Sequence, residues 1–474
     1  QRYVTWRANV PLLYDWITAS HLIWPSLSVA WGGGGAPDTV SAVDGTLPSL
    51  TRSLYFSSRT DASYDEATRT WTGTPSYLTV GHVDVPSANS CRARGLSRLN
   101  ETAMSPRLSI AKQIVHTGEV NRLRSCPRAR DVVVTLSDSN NVYVWNTARF
   151  APVVGPAAGP KAATGGKLVG HKDAANFAVD VAAESFHVVS GGKDKQVLLW
   201  NIEDVGHSSA AEGSSLSESV TASPVASFSG HKAQVEDVSL CQTIGNSADV
   251  FASVGVDRRL LIWDARRGSS PALKIEGVHS GDMNCVDWSP LDKHLILTGS
   301  QDTSVVLHDI RWSGPKLSSS VVQTFNAHTS PVMGLQWSPH SRRHFASTGD
   351  DNALYIWDHT LDAATAPAPP HSPDMDRPSK RRRGAGAGAE AAISPPTFPK
   401  SSLPPQVVFH HAGHRVPISD FQWCPDPADP WLFTTTSDDL AGGTMQSWRV
   451  LDLVFGADDG RMAELEAAVA DSGK

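Results

Sequence analysis

Long apolar runs are absent from this 474-residue chain: no 18 consecutive residues are apolar, so no stretch can cross a bilayer as a helix. Cysteine is scarce. Cys91, Cys126, Cys241, Cys285 and Cys424 lie far apart, are odd in number and never take the C-x-x-C spacing, which argues against a disulfide framework or a metal site and reads as reduced thiols of an intracellular protein. A phosphate loop is missing too, because the glycines from Gly32 to Gly35 lack the strand and helix context such a loop requires. His410, His411 and His414 cluster without a cysteine or carboxylate at ligand spacing, so neither a metal nor a cofactor is expected. Charged residues make up only 19%, with a net charge of −7. Four positive charges sit together at Lys380, Arg381, Arg382 and Arg383, which leaves −11 on the rest; so acidic a body favours basic partners and disfavours nucleic acid. A chain that starts at Gln1 reads as a piece of a longer one.

What is present is a repeat. Residues 168–200 read LVGHKDAANFAVDVAAESFHVVSGGKDKQVLLW, opening on Gly170-His171 and closing on Trp200. Strand-length apolar runs alternate with polar turns, the signature of one blade of a β-propeller. His116 to Trp145, His171 to Trp200, His279 to His308 and His328 to Trp357 each span 29 residues, His231 to Trp263 spans 32 and His414 to Trp448 spans 34. Equal spacing with different fillers is what stacked units impose, since each must offer the same two faces to its neighbours.

The best copies place a His, a Ser, an Asp and a Trp in register: His171, Ser190, Asp194, Trp200, then His231, Ser253, Asp257, Trp263. Hydrogen bonds from Trp through Ser and His to Asp would satisfy each buried polar group. A protease reading of Ser, His and Asp fails because the set recurs in several blades, whereas a nucleophile is needed once, and the chain is expected not to be an enzyme. Two copies depart from the pattern: His308 replaces the Trp, and Ser139 stands at the Asp position of the first repeat.

Six repeats, together with strands in 25–31 and 51–85, make an all-β, seven-bladed WD-repeat propeller over 25–455. Residues 1–24 read as an N-terminal helix, with Tyr3, Trp6, Leu13, Tyr14 and Ile17 at three- and four-residue steps and a kink expected at Pro11. The plainer reading of that stripe is packing on the propeller's side. The strand in 24–31 is expected to complete the blade built by the other terminus and close the ring. Insertions at 151–166, 205–224 and 361–404 lack core-forming periodicity and are read as disordered loops, and 456–474 as a short C-terminal helix and tail.

Function must come from residues that the repeat does not require. Five places after each His stand Asn121, Asn176, Glu236, Asn284, Met333 and Ser419, near the mouth of the central channel. Asn and Glu there suit an extended peptide's backbone and its basic side chains.

The segments YVTWRANVPLLYDWITASHLIWPSLSVAW, HTGEVNRLR, GHKAQVEDV, NCVDWSP and LPPQVVFHHAGHRVPISDFQW resemble the retinoblastoma-binding, MSI-type histone-binding propellers, most closely their plant FVE branch. The resemblance implies two histone surfaces. On the side, Tyr3, Trp6, Leu13, Tyr14 and Ile17 with the loop ending at Pro404 and Pro405 would hold a helix of histone H4. At the mouth, Glu119, Asn121, Arg122, Glu236, Asn284 and Asp438 would grip the histone H3 tail. Where the family has acidic residues before the Pro pair, this chain has Asp374 and Asp376 farther off. Implied partners are the subunits of histone deacetylase, Polycomb and chromatin-assembly complexes. The four-residue basic cluster matches a nuclear import signal. A rival reading is an adaptor of a cullin-4 ubiquitin ligase, through a docking box at Trp263, Asp264 and Arg266, with a weaker copy ending at Arg311.

Overall fold

The computed structural model describes residues 2–32, 40–41, 49–60, 63–65, 70–86, 107–116, 118–150, 165–175, 177–207, 220–243, 249–312, 320–361, 403–439 and 442–450. They form seven antiparallel blades around a central channel. Blade 1 comprises Val29–Trp31, Ser49–Ser57, Ser76–Pro86 and Leu108–His116, so the divergent seventh unit stands first in the chain. Blades 2 to 6 have inner strands Val120–Ser125, Val179–Val181, Val235–Leu240, Met283–Trp288 and Val332–Trp337. Blade 7 runs Ile418–Trp423, Leu432–Asp439 and Gly442–Val450.

Each blade is covered on both faces by its neighbours, so its middle strands, such as Val132–Ser137 and Leu354–Asp358, are buried throughout, while outer strands such as Val321–Phe325 alternate. Val134 and Val144 of blade 2 pack on Val188, Leu198 and Trp200 of blade 3 in one such interface. The polar set threads between the strands as expected. Trp200 Nε1 donates to Ser190 Oγ at 2.8 Å, His171 Nε2 meets the same hydroxyl at 2.8 Å, and His171 Nδ1 lies 3.1 Å from Asp194. The geometry repeats at Ser253 and at Ser347, and at Thr298 with the imidazole of His308 in place of the indole. Burial lowers the pKa of His308 to about 3, so it stays neutral in this apolar seat. In the first repeat Ser139 does not take the Asp role: His116 Nδ1 faces Gly118 O at 3.1 Å instead.

Ring closure differs from the expectation. A helix spans Arg2–Leu13 and ends two residues after Pro11; the chain then becomes a strand, Tyr14–Leu22, which pairs along Gly442–Val450 as the outer strand of blade 7. Residues 24–31 instead supply blade 1 with its own inner strand. A buried ion pair from Arg449 to Asp15 at 2.7 Å fixes the closing strand. Two insertions also enter the fold at their ends. Thr221–Ala222 pairs in parallel with Gly166–Val169 as a fifth strand of blade 2, and Val205, on a short helix at Glu203–His207, is buried in the same blade's core. The expected C-terminal helix and the cluster Lys380 to Arg383 lie outside the described residues.

Polar side chains on the inner strands tie each blade to the next. Asp180 accepts from Leu240 N at 2.7 Å, Asp237 from Val286 N at 3.0 Å, Asp287 from Trp337 N at 2.6 Å, and Gln336 from Trp423 N at 2.7 Å. Asp420 then accepts from Val29 N at 3.2 Å, Ser28 from Leu123 N at 3.0 Å, and Arg122 closes the circle on Phe177 O at 3.3 Å. Burial raises the pKa of Asp180 to about 6 and that of Asp287 well above the carboxylate range, against the backbone donors that lower both.

Candidate functional site

The channel holds a cavity of about 350 Å³, lined by Arg122, Arg124, Asp180, Asp237, Asp287 and Asp420 among others. Arg122 belongs to this interior rather than to a peptide-binding rim: its guanidinium pairs with Asp420 at 3.0 Å, and the side chain is 13% exposed. The inner-strand ring gives it a structural partner on either side.

Asn121, Glu236 and Asn284 stand second in their inner strands, Glu119 just before one, and Asp438 near the end of Leu432–Asp439 in blade 7. Asn121 is half-buried, and Asn284 spends one donor on Val332 O at 2.9 Å. Glu236 is half-buried, and among the described residues no cation pairs with it. Burial, with Asp237 and Asp282 nearby, raises its pKa to about 7, and Lys193 opposes that only weakly. Exposed Phe177, Val256 and Met333 add apolar surface at blades 3, 4 and 6. Glu119 and Asp438 are both engaged by one cation that the sequence did not suggest. Arg59 Nε lies 2.7 Å from Glu119 Oε1, and its Nη1 lies 2.6 Å from Asp438 Oδ2. Burial raises the pKa of Glu119, Arg59 lowers it, and Asp138 and Asp438 raise it further. Asn176 lies outside the described residues.

On the side, the stripe does not line an open groove. Trp6 and Val10 of the helix are buried against Tyr14, Ile17, Phe409 and Trp448, and Tyr14 and Ile17 belong to the closing strand, not the helix. Trp6 Nε1 donates to Tyr14 Oη at 2.7 Å, and that hydroxyl meets His411 Nδ1 at 2.7 Å. Tyr3 and Leu13 remain half-buried, Arg415 stacks over the Tyr3 ring at 4.5 Å, and Val4 is 70% exposed. Pro404 and Pro405 precede Val407–His411, the outer strand of blade 6 that carries His411. Packing of an amphipathic helix on the nearest apolar face explains why the stripe turned inward.

The proposed ligase box is accounted for within its blade. Trp263 is buried on Ser253, and Asp264 accepts from Arg266 N at 3.2 Å and pairs with the Arg266 guanidinium at 2.9 Å. The same pairing recurs between Asp309 and Arg311, as a turn motif of the repeat would.

Comparison with known proteins agrees with this architecture. Residues 1–87 match the family model described as histone-binding protein RBBP4 or the C subunit of the CAF1 complex, and 222–264, 273–309 and 319–358 match the WD domain, G-beta repeat. The chain is 35% identical to WD-40 repeat-containing protein MSI4 of Arabidopsis thaliana, over 98% of this chain and 85% of that protein. It is 24% identical to Arabidopsis MSI3, covering 97% and 91%, and 22% identical to histone acetyltransferase type B subunit 2 of Debaryomyces hansenii, covering 97% and 92%. The ligase reading gains no support from these relatives. A propeller closed by its N-terminal strand, a helix docked on that closure and similarity along nearly the whole length together establish that the chain belongs to the MSI-type family of WD-repeat proteins.

Proposed function

We propose that this protein is a non-catalytic histone-binding scaffold of chromatin complexes, working in the nucleus. The observation that carries the reading is Glu236: a half-buried carboxylate at the channel mouth with no cation on it among the described residues, and Asn121 and Asn284 on other blades of the mouth. An unpaired carboxylate in such a place is matched by a lysine or arginine side chain, and amide groups beside it suit the backbone of an extended peptide such as the H3 tail. Exposed Val4 with half-buried Tyr3 and Leu13 supports a second contact, with the H4 helix, on the outer face of the N-terminal helix. Repetition of the buried Ser–His–Asp sets supports a structural rather than catalytic use of them. Within a deacetylase, Polycomb or assembly complex the rigid ring would present the histone while a partner subunit acts on it.

The test is titration of an H3 N-terminal peptide together with pull-down of H3–H4. Reversing the charge pattern with Glu236→Lys and Asn284→Lys should abolish tail binding and spare capture of H4. Equal loss of both would refute the two-site reading.

A further inference from the structure

Arg59 joins three blades at the mouth. It follows the second strand of blade 1; its backbone N–H donates to Pro25 O at 2.7 Å, and its guanidinium reaches Glu119, just before blade 2, and Asp438, on blade 7. Glu119 and Asp438 are two of the carboxylates that a basic peptide would be expected to use, and an internal cation already holds both. At 2.7 and 2.6 Å each contact is a charge-assisted hydrogen bond, and at 49% exposure the Arg59 side chain lies within reach of an incoming ligand. Glu236 has no such occupant among the described residues.

Resting on the peptide reading of the mouth, we propose that Arg59 is a specificity-determining residue. It occupies the Glu119–Asp438 side, so that one basic side chain of the peptide is read, at Glu236, and a second finds its carboxylates taken. A second lysine or arginine gains nothing there without displacing Arg59, and two guanidinium groups competing for one pair of carboxylates repel each other.

The experiment is fluorescence anisotropy of the intact protein with the H3 N-terminal peptide and with versions in which each basic residue in turn is glutamine. In the wild type one replacement should cost about tenfold and the others less than about threefold. Arg59→Gln should tighten the unmodified peptide about fivefold and make a second basic residue matter. A readout that leaves Arg59 in place guards against misfolding of that variant. Glu119→Gln in the wild-type background should change affinity less than about twofold, whereas Glu236→Gln should weaken it about tenfold. If Glu119→Gln weakens binding as much as Glu236→Gln, or if a folded Arg59→Gln protein binds no more tightly, the role of Arg59 is refuted while the mouth remains a peptide site. If no variant binds any peptide, both readings fall together.

Discussion

The indole of Trp6 donates to the hydroxyl of Tyr14 across 2.7 Å, and Tyr14 passes the contact on to His411. One hydrogen-bonded chain thus joins the N-terminal helix, the strand that closes the ring and the outer strand of blade 6. Tyr14→Phe would leave the buried indole N–H of Trp6 and the buried Nδ1 of His411 without partners, at a cost of about 1–3 kcal/mol. Trp6→Ala would remove the ring as well and cost about 3–5 kcal/mol. Urea denaturation measures both, and proteolysis within residues 2–13 should quicken in parallel. An unchanged midpoint for Trp6→Ala would mean that the helix does not rest on the ring.

Glu236 predicts opposite pH trends for stability and for binding. Its folded-state pKa is raised from 4.5 to about 7, so the folded protein holds this proton more tightly than the unfolded chain does. The stability it contributes is complete below about 4.5 and is lost as pH rises to about 7. Glu236→Gln should therefore be more stable than wild type at pH 8, by on the order of 1–2 kcal/mol after allowance for solvent screening, with the advantage shrinking towards pH 5. Binding of a basic peptide needs the anion, so wild-type affinity should weaken from pH 8 to pH 6. A flat wild-type profile would remove Glu236 as the anchor.

The shared hydroxyl of each repeat allows a sharper comparison. Ser190→Ala strands both Trp200 Nε1 and His171 Nε2 in the core and should cost about 2–4 kcal/mol. Ser190→Thr should cost less than about 1 kcal/mol, because Thr135 and Thr298 fill the same position in blades 2 and 5. Calorimetric melting of the two variants tests this, and similar losses would show that packing, not the hydroxyl, holds the turn.

A further pair couples the second insertion to blade 2. A Cβ at Gly166 would lie 2.1 Å from Val205 Cγ1, so Gly166→Ala must push the short helix away and should cost about 1–3 kcal/mol. Val205→Ala should largely restore the stability of that variant. A double-mutant cycle with no coupling would place Val205 elsewhere.

Much of the scaffold was legible because its information is local. A histidine, a hydroxyl and a tryptophan at near-constant spacing identify a repeat whatever fills the gaps, and the three apolar runs read between Ala178 and Leu199 are strands of one sheet. The repeat is offset from the blade, however, because Leu168 and Val169 lie in the outer strand of blade 2, and blade 3 takes its own outer strand from Ala226–Ser229. The inner-strand ring left a weaker trace, a single polar residue in runs such as the one around Asp180 or Asp287, which the repeat pattern did not explain. Tyr14–Leu22 reads as helix in the sequence for a physical reason. It is buried on nearly every residue, so it lacks the polar alternation of a half-covered strand, and the steps from Tyr14 to Ile17 mimic a helical face.

By itself, then, the order of residues determined the number and kind of blades and where the repeat's own His, hydroxyl and Trp groups lie inside them, since those follow from contacts within about 30 residues. Only the tertiary structure decided how the ring closes and which mouth carboxylates are free. Arg59 and Asp438 stand 379 residues apart and meet only because closure brings blade 1 against blade 7. A charge pairing of that range has no periodicity to betray it, and it is set by the three-dimensional circle alone.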